Sequence, residues 1–164
     1  MDISAELYSE RLEILRRHID HVQESSWIVA ERLIKRAEKN DRALAHELVT
    51  NVQVHDHSKF TGIEWLYLHD DVKEKEPELF KVAWLQHVST NTHHPEYWHG
   101  IDNMPDVFLA EMVADWKARS NEFGTDLRSW IKESATKKFK FPATGKVYKK
   151  IKIFVDLMLD KPFK

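Results

Sequence analysis

The sequence predicts an all-α protein, a compact helical bundle, on three observations. Apolar residues recur at threes and fours along most of the chain, only 4 Gly and 5 Pro are available to punctuate tight turns, and 42% hydrophobic content is interleaved with 32% charge. A sheet-rich fold would lack punctuation, whereas helices need little. The length of 164 residues suits one domain with its own core, and no repeat, low-complexity tract or linker interrupts it, so 1–164 is read as a single unit.

Ser4 can cap a first helix in which Leu15, Ile19, Val22, Val29 and Leu33 form one stripe; it runs to about Asn40, with Ser25 and Ser26 as the place for a break. A second helix starts near Asp41, carries Leu44, Leu48 and Val52 at four-residue steps, and brings His55 and Asp56 onto the continuation of that face. Ile63 to Leu68 fits a short helix. Pro77 suits the first turn of a longer one reaching Asn91, with Phe80, Trp84 and His87 at helical spacing. Thr92 to Pro105 reads as a loop. From Asp106 a helix carries Val107, Met112, Val113 and Trp116 toward a stop at Gly124, and another follows from about Asp126 to Ser134. The tail alternates in KFKF and KKIKIFV, yet Val147, Ile151, Val155 and Met158 also form a helical stripe, and helix is preferred. Trp27, Trp65, Trp84, Trp116 and Trp130 default to core, and the charge runs Lys73 to Glu78 and Lys137 to Lys140 to solvated faces.

Composition narrows the function classes. With 25 Lys plus Arg against 27 Asp plus Glu, the net charge of −2 gives no broad attraction for nucleic acid or an anionic membrane. The absence of cysteine excludes disulfides, thiolate zinc sites, iron–sulfur clusters and cysteine nucleophiles. No signal-peptide core and no run approaching ~20 apolar residues is visible, so the expectation is a soluble cytoplasmic protein with no membrane partner.

Against this background 10 histidines stand out. The informative set is His18 or His21 on the first helix, His55 with Asp56, His87, the pair His93 and His94, and Asp115. A divalent cation needs imidazole and carboxylate donors converging from different elements, and four separate segments supply them here. One His on an apolar stripe is more often a hydrogen-bonded core residue than a ligand. Several together shift that balance, and a carboxylate at a core position, as for Asp56 and Asp115, is costly unless a cation or donors compensate it.

The order His, His-Asp, His, His-His, Asp resembles the HD-domain superfamily of metal-dependent phosphohydrolases over most of the chain. The segments HDHSKF, NTHHPEYW and EMVADWKARSNEFG look like a small HD-type family of bacteria and phages. The resemblance implies a helical bundle in which His18, His55, Asp56 and Asp115 bind one metal, with further histidines binding a second in some branches. HIDHV fits the family-like pattern with His18 as the first ligand, and His21 remains the alternative. Lys59 stands where HD nucleotidases carry a catalytic Glu. HDHSK and HHPE partly echo the cyclic-dinucleotide phosphodiesterase branch, but its glycine-tyrosine-proline element is absent and His87 lies only six residues before His93. That substrate is therefore not carried over.

The expected chemistry is hydrolysis of a small phosphate ester, a nucleotide or nucleotide-derived signal, by a metal-activated water. The metal is manganese, iron, cobalt, nickel or zinc, as one or two ions held by His18, His55, Asp56, His87, His94 and Asp115. Asp56 and Lys59 are the expected catalytic pair, and Lys59, His93 and Arg119 the expected substrate contacts. Arg119 has a salt bridge to Asp115 or Glu122 as its plain alternative. Glu64 and Glu96 are candidate proton carriers, and Tyr97 with Trp98 a candidate wall for a nucleobase. Two other functions compete: a di-iron oxygenase on the same scaffold, and a catalytically idle binding module.

Overall fold

The computed structural model describes residues 4–160, and these are helical without a strand among them. Helix α1 (Ala5–Lys35) begins at the expected cap, with Ser4 Oγ accepting a hydrogen bond from the Leu7 amide. It passes through Ser25 and Ser26 unbroken, both buried against its neighbours. It stops before Asn40 because Ala37 turns left-handed at φ 61°, a conformation that terminates a helix. A three-residue connection then returns α2 (Lys39–Asn51) alongside α1.

The chain past α2 departs from the expected continuous face. The α-helix ends at Asn51, tightens into a 3₁₀ turn (Val52–Val54), and at Asp56 takes φ 57° before a second 3₁₀ turn (His57–Phe60). His55 and Asp56 therefore sit on a reversal beyond the helix end. Asp is among the few residues that accept a left-handed backbone.

Helices α3 (Gly62–Tyr67) and α4 (Asp70–Lys75) pack on α5 (Pro77–Thr90). The charged stretch holds α4, which was not expected: Val72 is buried and anchors it, while Lys73 to Glu78 are exposed as anticipated. Arg11 of α1 reaches both oxygens of Asp71 at 3.0 Å and ties this subassembly to the long helix. The segment after α5 is a loop containing two 3₁₀ turns, Pro95–Trp98 and Ile101–Asn103.

Helix α6 (Asp106–Glu122) packs on α1 and α2 and stops just before Gly124, which adopts φ 63°. Asp126 caps α7 (Leu127–Trp130) by accepting from the Ser129 amide at 2.8 Å; a π-helical segment (Ile131–Ala135) and α8 (Thr136–Lys138) continue it. KFKF forms no strand. The tail is α9 (Lys146–Leu159), which crosses α1 and α6. Val22, Val29, Leu48, Val113, Ile151 and Val155 meet at 0% exposure, so α1, α2, α6 and α9 share one core. Trp27 is not part of it, being 49% exposed, because it falls off the Val22–Val29 stripe.

Truncating Ile151 to Ala removes buried methyl groups where four helices converge. It is expected to lower the unfolding free energy by about 2–5 kcal/mol, measured as a shift in urea midpoint at unchanged slope. A change below about 0.5 kcal/mol would contradict the packing of α9 into this core.

Candidate metal centre

Four parts of the chain meet around one carboxylate. α1 supplies His18, the turn after α2 supplies His55 and Asp56, α5 and the following loop supply His87, His93 and His94, and α6 supplies Asp115. Asp56 is 1% exposed. Its Oδ2 lies 3.6 Å from both His18 Nε2 and His55 Nε2, and its Oδ1 lies 3.4 Å from His87 Nε2 and 3.5 Å from His93 Nε2. The two oxygens thus address different pairs of rings. His94 Nε2 is 3.0 Å from His87 Nε2, and Asp115 Oδ1 is 3.1 Å from His18 Nε2.

The orientation of three rings has a common cause. His18 Nδ1 donates to Glu122 at 2.8 Å, His55 Nδ1 to Glu111 at 2.9 Å, and His87 Nδ1 to Glu64 at 2.8 Å. A carboxylate at Nδ1 selects the tautomer protonated there and leaves the Nε2 lone pair directed inward, the arrangement that serves metal-binding histidines. Glu64 is itself held by Ser58 Oγ at 2.7 Å. Glu111 also stands 3.7 Å from His93 Nδ1. Glu111 thus stands behind both rings, hydrogen-bonded to His55 alone.

Among the described residues, His18 Nε2, His55 Nε2 and Asp56 Oδ1 are buried without a hydrogen-bond partner. Such atoms are rare in folded proteins. Here their convergence fits a cation: the donor atoms of His18, His55 and Asp56 lie within 4.8 Å of one another, as do those of His87, His93 and His94. These buried groups are positioned to hold a metal ion. Imidazole and carboxylate without thiolate suit a borderline divalent transition metal.

Electrostatics agree with the geometry. Burial opposes ionisation of Asp56, but Lys59, with His55, His93 and His87, overcomes it and holds the carboxyl well below its usual range. For Asp115 burial is likewise outweighed, first by the neighbouring His18. His18 is pushed down by burial but raised on balance by Asp115 and Glu122. Burial and the neighbouring imidazoles depress His93 strongly and His94 to about 3. Those two rings are neutral near pH 7 and free to donate lone pairs.

Beside the histidines opens a cavity of about 350 Å³. Lys59, His94, Asp115 and Arg119 stand on its wall together with Trp84 and Trp116. Lys59 Nζ pairs with Asp56 Oδ2 at 2.6 Å, so its ammonium is anchored at the carboxylate as well as facing the cavity. Arg119 makes the salt bridge to Glu122, at 2.9 Å, while keeping a place on the wall.

Other placements differ from expectation. His93, expected to touch substrate, is 3% exposed with Nε2 toward Asp56, which makes it geometrically equivalent to His87 as a donor, although it also borders the cavity. His21 lies outside the cluster, over a surface depression with Arg16 and Arg17, which favours His18. Tyr97 is 40% exposed and Trp98 packs on Phe108, so neither walls the cavity. Lys138, exposed as the solvated run predicts, also borders it.

The outer carboxylates were missed in their role. Glu111, Asp115 and Glu122 share one stripe of α6 at spacings of four and seven, a signal that was present in EMVADWKARSNE. For Glu64, no local signal distinguishes it from a surface glutamate.

Two outcomes are expected. Glu64→Gln and Glu111→Gln lower the affinity for a divalent transition metal by about 10- to 100-fold, read by titration against a chromophoric chelator. In the metal-free protein, the unfolded state binds protons at His94 below about pH 6.5 while the folded state does not until about pH 3. Stability contributed by the neutral ring is therefore lost as pH falls through that window, and His94→Gln flattens the slope of unfolding free energy against pH.

No helix among the described residues is long and apolar enough to cross a membrane. Comparison with curated proteins and with solved structures finds no match. Residues 8–159, which include every donor named above, match the family described as a family of unknown function, DUF5662, and the chain belongs to that family.

Proposed function

We propose that the chain is an HD-type, metal-dependent phosphohydrolase acting on a small phosphate ester, a nucleotide or nucleotide-derived signal. The observation that carries this reading is the convergence of five imidazoles and Asp115 around the buried carboxylate of Asp56, beside a cavity lined by Lys59, Arg119 and Lys138. A divalent ion held by these donors would polarise a phosphoryl oxygen and lower the pKa of a water so that hydroxide is available near neutrality. The substrate class follows from likeness of the donor order to HD proteins, which is analogy.

The chain's own residues supply the rest. Asp56 offers one oxygen to each histidine pair and is the natural shared carboxylate. Lys59, with three donors and no lone pair, binds oxygen anions and cannot ligate. Arg119, already oriented by Glu122, presents a guanidinium suited to a phosphoryl oxygen. One water is consumed: its oxygen adds to phosphorus, the P–O ester bond breaks, and the alcohol leaves with a proton.

A second reading is favoured by the nitrogen-rich face of His87, His93 and His94, which also suits redox-active iron. It makes the protein a di-iron oxygenase, recognised by iron content and substrate-dependent oxygen consumption.

The test is elemental analysis of the purified protein, then phosphate release from a panel of phosphoesters with manganese, iron, cobalt, nickel or zinc added. Asp56→Ala is expected to abolish release with helical content retained, and Lys59→Ala to raise KM more than it lowers metal content. A His87→Ala/His94→Ala double variant is expected to take metal stoichiometry from two toward one. Retention of no transition metal, with no turnover, would leave an idle binding module instead.

A further inference from the structure

We propose that the lysine-rich surface formed by α8, the loop after it and the first turns of α9 docks the phosphate backbone of a single-stranded nucleic acid beside the cavity. The net charge of −2 conceals a segregation. Residues 134–155 hold 7 Lys and no Asp or Glu, while all 27 acidic residues lie elsewhere. Lys150 is neutralised by Asp106 of α6. Lys137, Lys138, Lys140, Lys146 and Lys149 are exposed, and none of them is ion-paired among the described residues. The fold keeps these five on one piece of structure: the Phe141 amide donates to the Thr136 carbonyl at 3.2 Å, and the buried Phe141 ring lies 6.4 Å from that of Tyr148 on α9. Like charges gathered in this way repel one another, and a polyanion lying across them relieves that repulsion.

The kind of polyanion follows from what adjoins the patch. Lys138 borders the cavity, where Lys59 and Arg119 continue the positive charge toward the histidines. Of the cavity's two acids, Asp115 is bound to His18 and Glu96 stands 4.0 Å from His94, so neither neutralises Lys138. A chain carrying one phosphate per unit occupies the lysines outside and reaches the cations inside, and a cavity of about 350 Å³ admits the end of a single strand but no duplex. A membrane matches less well. A helix lying on a bilayer needs a free apolar face, whereas Val147, Ile151 and Val155 of α9 are buried in the core, and Ile153 is the one large apolar side chain exposed on that helix among the described residues. An acidic peptide lacks the phosphate ester; this last step rests on the phosphohydrolase reading, while the surface stands on its own charges.

The test is fluorescence anisotropy of a labelled oligothymidylate of ~12 nucleotides, within the span of one small binding groove, titrated with metal-free protein in chelator. Log affinity is expected to fall against log salt with a slope of about −2 to −3.5, the value for three to five phosphates neutralised on a single strand. Lys137→Gln/Lys140→Gln weakens binding by about tenfold at ~50 mM salt and brings the slope about 1.4 nearer zero. Lys137→Arg/Lys140→Arg retains both, and Lys39→Gln/Arg42→Gln, the same charge change on exposed positions of α2, leaves affinity within about twofold. Each variant is checked for helical content and melting. No binding at ~50 mM salt, a slope near zero, or equal weakening by the α2 pair overturns the proposal. Tighter binding of phosphatidylserine vesicles or of polyglutamate, lost with the same lysines, overturns it in favour of a membrane or an acidic protein, and tighter binding of a duplex of equal length overturns the single-strand assignment. Strand binding without phosphate release from any ester leaves the proposal standing and removes the hydrolase reading. Release from mononucleotides with no strand binding does the reverse.

Discussion

The ionised carboxylate of Asp56, almost wholly removed from solvent, is the constraint around which the rest is arranged. Isolating such a charge is expensive, and its compensation must come from groups brought from elsewhere in the chain. Lys59 supplies a full positive charge three residues away, and four imidazole Nε2 atoms approach within 3.6 Å. The left-handed backbone at Asp56 lets a reversal follow α2, so that the carboxylate and Lys59 are presented together at the helix end. A carboxylate facing two ways in this manner is costly as a structural element and useful as a ligand.

The surrounding helices extend the same logic outward. α6 contributes Glu111, Asp115 and Glu122 from one stripe, orienting His55 and His18 from behind while α1 holds His18 beside Leu15 and Val22 of the core. α3 contributes Glu64 to His87. Ring directions are thereby fixed by hydrogen bonds at Nδ1, on the side of each ring away from Asp56, and the site is joined to the packing of α1 on α6. The same α6 stripe continues into the cavity through Trp116 and Arg119. The π-helical segment after Trp130 lies between that residue and Phe139, two rings of the opposite wall. π segments are frequent at functional sites.

Much of this was legible because periodicity and residue chemistry act locally. His18 was preferred over His21 on the family-like pattern of HIDHV, and the structure places His18 against Asp56 and Asp115. Asp115, between Met112 and Trp116, could be read as inward facing. The path after α2 could not: helical spacing extrapolates a straight face through Asp56, whereas the backbone reverses there. Trp27 failed, since local spacing cannot say whether a neighbouring element covers it. The role of Glu64 depends on α3 and α5 meeting, a contact that no local pattern encodes.

The sequence by itself determined the all-α class, most helix locations, the tail as helix, and a nitrogen-and-oxygen donor set without thiolate, because hydrophobic period and side-chain chemistry are properties of the chain. Tertiary structure decided that Asp56 faces two histidine groups, that three glutamates aim the imidazoles, and that tryptophans from α5, α6 and α7 enclose one cavity. Those relations join residues tens of positions apart, and hydrogen-bond geometry and shared burial exist only once the helices are packed.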